Sequence, residues 1–300
     1  MVRSTTNFNR WVAHEPSTWS LQIFNRYDSE LGIMGTAHQG ALEYTYRMLG
    51  ANGAKWSDNA RSAMGVSNQF FNYFKDLKHW SDTYHQFDNW INLSTVLTVA
   101  SNLETYLAAV VVLAIESDPG VVVGAPKAVD GGTLLKNRSS RIDYQTYVMA
   151  CTRGDWNSRL AALQRLFSPL PPVIFSRLSD LEAMRQIRNR FGHAFGRDID
   201  AAREHGLREV IPIERVSHER AIRLKATAGR VARELDRHLL ANHIGDFEPV
   251  RFYARHQWPK EKSVAVGQRA ADLKKAVGGT GAVPRGKTYC AGLISYWDTL

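Results

Sequence analysis

The chain has 300 residues, 44% of them hydrophobic, enough to bury a sizeable core in one large or two modest domains. It carries a net charge of +9 and two cysteines, Cys151 and Cys290, neither with a CxxC partner or a nearby histidine pair, so disulfide-framework and structural-metal readings both lack support. The opening MVRSTTNFNRWVAHEPSTW has no apolar signal-like core, and the longest apolar run, Leu107 to Ile115, falls well short of the ~20 residues of a membrane span, so a cytoplasmic protein without cofactor, metal or membrane contact is the expectation.

Residues 1–86 are rich in aromatics, with Trp11, Trp19, Phe24, Tyr27, Tyr44, Tyr46 and Trp56 scattered among Gly, Ser and Asn. Sequence pattern assigns this stretch no fold beyond a helical segment from Gly40 to Leu49 and a helix from Ser67 to His79, where Phe70, Phe71, Phe74 and Leu77 share a side. Aromatics among polar residues can stack on bases. Basic residues are sparse here, so core packing is the reading preferred.

From Asp88 to Ser117 apolar residues recur at helical spacing over more than half the circumference, as in a central bundle helix, and Asp118-Pro119-Gly120 stops it. Residues 118–140 read as a long connection whose glycine pair lacks the setting of a phosphate loop. Asp143 to Ala150 reads as a short helix, and Asp155 as the N-cap of another from Trp156 to Phe167. Pro169, Pro171 and Pro172 then interrupt the chain.

The stretch SDLEAMRQIRNRFGHAFG, Ser179 to Gly196, follows. Ser179 and Glu182 have the spacing of a capping box for a helix beginning at Asp180, and Gly196 suits its stop. On a helical projection of about 100° per residue with Arg188 at zero, Met184, Ile187, Phe191, Ala194 and Phe195 fall at roughly 240° to 340°, a core-facing stripe. Arg188, Gly192, Arg185, Gly196, Asn189, Glu182 and His193 fall at roughly 0° to 140°. Each interior glycine costs about 1 kcal/mol relative to alanine, which suggests close approach of another backbone on that face. The same residues also suit an ordinary amphipathic helix.

Arg188-Asn189-x-x-x-His193 after an apolar helical run resembles the R-x4-6-H motif of the HEPN superfamily. The resemblance covers residues 87–245 and implies an all-α, up-and-down helical bundle there; residues 1–86 and 246–300 read as an aromatic-rich N-terminal extension and a basic C-terminal extension. It also implies a metal-independent endoribonuclease in which two copies of the motif meet across a homodimer, often a toxin or antiviral effector. The polar Asn189 matches active members. Phe195 stands where one toxin subgroup has a tyrosine, so that subgroup's regulation through the tyrosine is not implied.

Residues 197–216 read as a charged connection with a short helix at Asp200 to His205. A final long helix is expected from His218 to Asn242, ending at Gly245, with Ile222, Val231, Leu235 and Leu239 on its core face. Beyond it, basic residues and the flexible GGTGAVPRGK precede the apolar YCAGLISYWDTL, which suits docking on the protein's own body. Charge is uneven: residues 1–184 hold 16 Lys/Arg against 16 Asp/Glu, whereas 185–300 hold 22 against 13, the whole excess of +9. That asymmetry points to a polyanionic partner, RNA in the first place.

Metal-free RNA cleavage needs a base at the 2′-OH, an acid at the departing 5′-oxygen and positive charge on the transition state. His193 suits either proton role, Arg188 the charge, and Asn189 the orientation of imidazole or substrate. Arg185 and Arg190 would bind neighbouring phosphates, while Glu182, Gly192 and Gly196 would support the face and the approach of a second copy. One chain supplies one such histidine, so a symmetric dimer answers the need for both acid and base. An antitoxin or regulatory protein is a further expected partner. Two other readings stay open: a noncatalytic RNA- or nucleotide-binding module using the arginines, and a helical protein-interaction adaptor whose basic tail contacts DNA.

Overall fold

A computed structural model describes residues 8–137, 142–194, 197, 211–257 and 264–300. Among these the chain is all-α: twelve α-helices joined by short 3₁₀ and π turns, and no strand. The helices are α1 (Trp19–Ala51), α2 (Ala60–Met64), α3 (Leu77–Ser117), α4 (Gly131–Asn137), α5 (Tyr144–Thr152), α6 (Trp156–Phe167), α7 (Pro172–Ser176), α8 (Leu178–Ala194), α9 (His218–Leu239), α10 (Phe247–Gln257), α11 (Val266–Gly278) and α12 (Lys287–Thr299). They form two compact units, one of Met1–Asn25, Leu103–Glu182 and Ala228–Leu300, the other of Arg26–Asn102 and Ala183–Thr227. Both units draw on segments far apart in sequence, so the grouping differs from the consecutive division 1–86, 87–245 and 246–300.

The larger unit buries Leu103, Leu107, Val110 and Val111 of α3, Leu160, Leu163 and Phe167 of α6, and Val231, Leu235 and Leu239 of α9. Its N-terminal strap is tied down by buried polar groups rather than by helix packing. Arg10 donates to the Ser117 and Ile244 carbonyls at 2.9 and 2.7 Å, to Ser117 Oγ at 2.7 Å and to Asp130 Oδ1 at 3.2 Å. The first turn of α1 is capped by carboxylates: Thr18 N–H donates to Asp236 at 3.0 Å and Trp19 N–H to both Glu248 oxygens at 3.0 and 3.1 Å. Burial, with the charges of Glu15 and Asp236 adding to it, pushes the Glu248 carboxyl up to about 8 against the lowering effect of the Trp19 N–H.

The C-terminal segment docks on this unit. Tyr289, Cys290, Leu293, Ile294 and Trp297 of α12 are buried, α12 packs against α11, and Arg269 bridges Tyr253 Oη at 2.6 Å and Asp298 at 2.9 Å. The GGTGAVPRGK stretch is anchored too, since Arg285 is buried against Glu15 at 2.7 Å.

The smaller unit has its own core of Leu49, Ala60, Leu77 and Trp80, with Tyr46, Phe71, Phe74 and Tyr84 packed against it. Much of the aromatic content of residues 1–86 therefore goes into packing, although Tyr27, Tyr44, Trp56, Phe70 and Tyr73 are exposed.

Several expected elements shift. Residues 67–79 are not one helix: a 3₁₀ turn at Gln69–Tyr73 ends at an extended Phe74, and α3 begins at Leu77, eleven residues before the expected Asp88. The 3₁₀ turn is capped by Asn68, whose side chain accepts from Phe70 N–H, a local alternative to continuing the helix. The connection 118–140 contains a 3₁₀ turn, Pro119–Val123, and α4. Helix α9 passes into a π turn, Leu240–Ile244, that ends at Gly245 with φ +55°. Ile222, expected on its core face, is 48% exposed, and Ala221 and Leu224 are buried instead. Helix α3 is long and apolar enough, by length and composition, to cross a membrane, unlike any uninterrupted apolar run, but half of that window is buried within the protein. The helix expected at 200–205 lies outside the described residues.

Candidate functional site

Helix α8 is anchored by Leu181, Met184 and Ile187, all at most 1% exposed, while Phe191 sits edge-to-face on Trp90 with ring centroids 6.2 Å apart. The expected core stripe is thus in place as far as the described side chains extend. The capping box is not. The helix starts at Leu178, and Glu182 Oε2 accepts from Trp156 N–H at 3.2 Å, so this carboxylate serves the start of α6 together with Asp155, which accepts from Ser158 N–H at 2.8 Å. Both acceptors meet the positive end of α6, where orphan N–H groups favour a carboxylate.

On the polar side Arg188 is half-buried and its Nη1 donates to Asn189 Oδ1 at 3.0 Å. The observed partner of Asn189 is therefore the guanidinium, whose plane it orients. Arg185 is half-buried on the same helix. The backbone of His193 continues α8, which puts it one turn past Asn189 and about 7.5 Å along the axis from Arg188. The His193 side chain and the whole of Phe195 and Gly196 lie outside what is described. Gly192 is exposed, and a Cβ there would meet only Leu97 Cδ1 at 4.0 Å, so packing among the described residues does not require a glycine.

Arg190 has a different setting from the one expected. Its Nε and Nη2 donate to the two Glu214 oxygens at 2.8 and 2.9 Å, a bidentate pair that a phosphate would have to displace. Glu214 belongs to a short segment also held by Asn89, which donates to the Glu214 carbonyl at 2.9 Å and accepts from Val216 N–H at 2.8 Å. Clamped by α3 and α8, residues 211–217 form one wall of a cleft of about 860 Å³; the first turns of α3, from Asp82 to Asn92, form another.

No family model, curated protein or solved structure matches this chain.

The candidate site is therefore read from its own chemistry. Helix α8 presents an oriented guanidinium with an adjacent carboxamide on a surface whose reverse side is fixed in the core. Such an arrangement can hold a phosphodiester and stabilise charge developing on it. Among the described residues no group of three or more His, Cys, Asp or Glu side chains is placed to hold a metal ion. Sequence reading missed the cleft. Asn89, Asn92, Arg197, Arg215 and His218 line it, yet none stands in a recurring motif, and the wall-forming IPIERV of residues 211–216 shows no helical period.

Proposed function

We propose that this chain is a metal-independent endoribonuclease of HEPN type, acting as a cytoplasmic homodimer and serving as a toxin or antiviral effector restrained by an antitoxin or regulatory partner. The observation that carries the reading is the Arg188–Asn189 pair, joined at 3.0 Å on the polar side of a core-anchored helix that continues one turn to His193. The all-α fold and the motif's place on a helix agree with the resemblance.

In the proposed reaction one His193 takes the proton of the 2′-OH, the 2′-oxygen attacks phosphorus, and the second copy's His193 protonates the departing 5′-oxygen. Arg188 of either copy carries the charge that builds on the non-bridging oxygens, with its plane set by Asn189. Single-stranded or looped RNA is the substrate expected, because its backbone reaches in-line geometry. Purified protein incubated with such RNA in EDTA should leave 2′,3′-cyclic phosphate or 3′-phosphate ends. Salt-sensitive binding with no cut would instead support the noncatalytic RNA-binding reading.

A further inference from the structure

The cleft in the smaller unit presents a carboxamide that the fold itself does not use. Asn92 is 5% exposed and lines the cleft; its carboxamide makes no hydrogen bond to a described residue and is not among the enclosed unpaired groups, so its polar atoms are open to what enters the cleft. An enclosed amide must pair within the protein, whereas one at the wall of a cleft keeps its donor and acceptor for water or a ligand. Its neighbour Asn89, one turn earlier less a residue on the same helix, shows the ordinary case, with both ends bonded to backbone at 2.8 and 2.9 Å.

The rest of the lining selects the chemistry. The two acids are already occupied: Asp82 pairs with Lys78, and Asp88 with His38 at 2.9 Å and Gln39 at 3.2 Å. Arg215 is exposed and makes no ion pair with a described residue, and Arg197 is held in the cleft by Nε donating to the Ile211 carbonyl at 2.8 Å. Two guanidiniums thus face an opening whose carboxylates are spoken for, while Ile211, Pro212 and Ile213 add an apolar wall. The cavity, about 860 Å³, falls in the range of small-ligand sites.

We propose that this cleft binds a nucleotide unit, its base edge read by the Asn92 carboxamide against the Ile211–Pro212–Ile213 wall and its phosphate held by Arg215 and Arg197. A carboxamide offers one donor and one acceptor side by side, which matches the N6/N7 edge of adenine. The wall supplies an apolar surface for the ring. The unit can be a free nucleotide or part of an RNA strand. Among the described residues none of the Arg188 motif lines the cleft, and the proposal does not rest on the nuclease reading.

The test is calorimetric titration of the full chain, and of its Arg188→Ala variant, with AMP, adenosine, inorganic phosphate, a short oligoadenylate and an acidic peptide. AMP should bind about tenfold more tightly than adenosine or phosphate, in both proteins. Oligoadenylate tighter than AMP assigns the site to an RNA strand; equal or weaker binding assigns it to a free nucleotide. Asn92→Leu should lose about tenfold in AMP affinity while its thermal midpoint holds. Arg215→Ala, at an exposed position, should weaken AMP similarly and leave adenosine unchanged. The proposal is overturned if AMP does not bind, if phosphate or the acidic peptide matches it, or if Asn92→Leu binds AMP undiminished.

Discussion

At the scale of single residues, the side chains that matter most combine with partners in ways that spacing alone does not disclose. Ser179 and Glu182 have the spacing of a capping box, but Glu182 reaches Trp156 N–H, 26 positions upstream, because α8 begins two residues earlier than expected and leaves the carboxylate beside α6. Asn189 is next to Arg188 in sequence, so the residues of this pair were legible, whereas its hydrogen bond was not. Cys151 is a buried thiol, and burial pushes it up to about 12. Asn189→Ala should lower kcat about tenfold with little change in KM, since it frees the guanidinium plane without removing its charge. Asn92→Leu should change stability by less than about 1 kcal/mol in denaturant melts, because the amide has no partner among the described residues and its polar atoms are open to the cleft. Loss of stability there would show that the amide has a structural partner. Glu248 gives the pH dependence. Its folded value, about 8, lies above the ordinary 4.5, so its contribution is complete below about 4.5 and is lost as pH rises through about 8. Buried Asp236 and Asp246 are raised as well and act in the same direction. Stability measured between pH 5 and 8 should fall by at most about 1.4 kcal/mol per pH unit from Glu248, and Glu248→Gln should flatten that slope. An unchanged slope in the variant would remove Glu248 from the explanation.

At the scale of elements, the helices with a single apolar stripe were readable and those with mixed faces were not. Helix α6 runs from Trp156 to Phe167 behind its Asp155 cap, as its pattern dictates. Helix α1 spans 33 residues, but Ile33 and Met34 are 70% and 61% exposed, so no clean stripe marks it and only residues 40–49 were recognised. The C-terminal segment was legible as a docking segment, though not as two helices with a buried arginine before the last. Deleting residues 287–300 removes five buried side chains, each worth about 1.5–3 kcal/mol. The loss is comparable to the whole margin of a typical fold, about 5–15 kcal/mol, and the truncated chain should show no cooperative melt. On α8, Gly192→Ala should raise helix stability by about 0.5–1 kcal/mol. If two copies approach across this face, the same change should reduce RNA cleavage; full activity in a more stable variant would mean that the glycine is not at a close contact.

At the scale of the whole molecule, the charge asymmetry and the proposed dimer set the expected behaviour towards RNA. All of the +9 excess lies from residue 185 onward, so binding should weaken steeply with added salt. A noncatalytic module would show the same salt dependence, so salt does not decide the matter. The deciding measurement is cleavage of single-stranded RNA in EDTA by three folded proteins of matched melting behaviour: the unaltered chain, Arg188→Ala and His193→Ala. The unaltered chain should cut, and each variant should lose at least about a hundredfold in rate. Cleavage that persists undiminished in both variants would contradict the assignment of the reaction to α8.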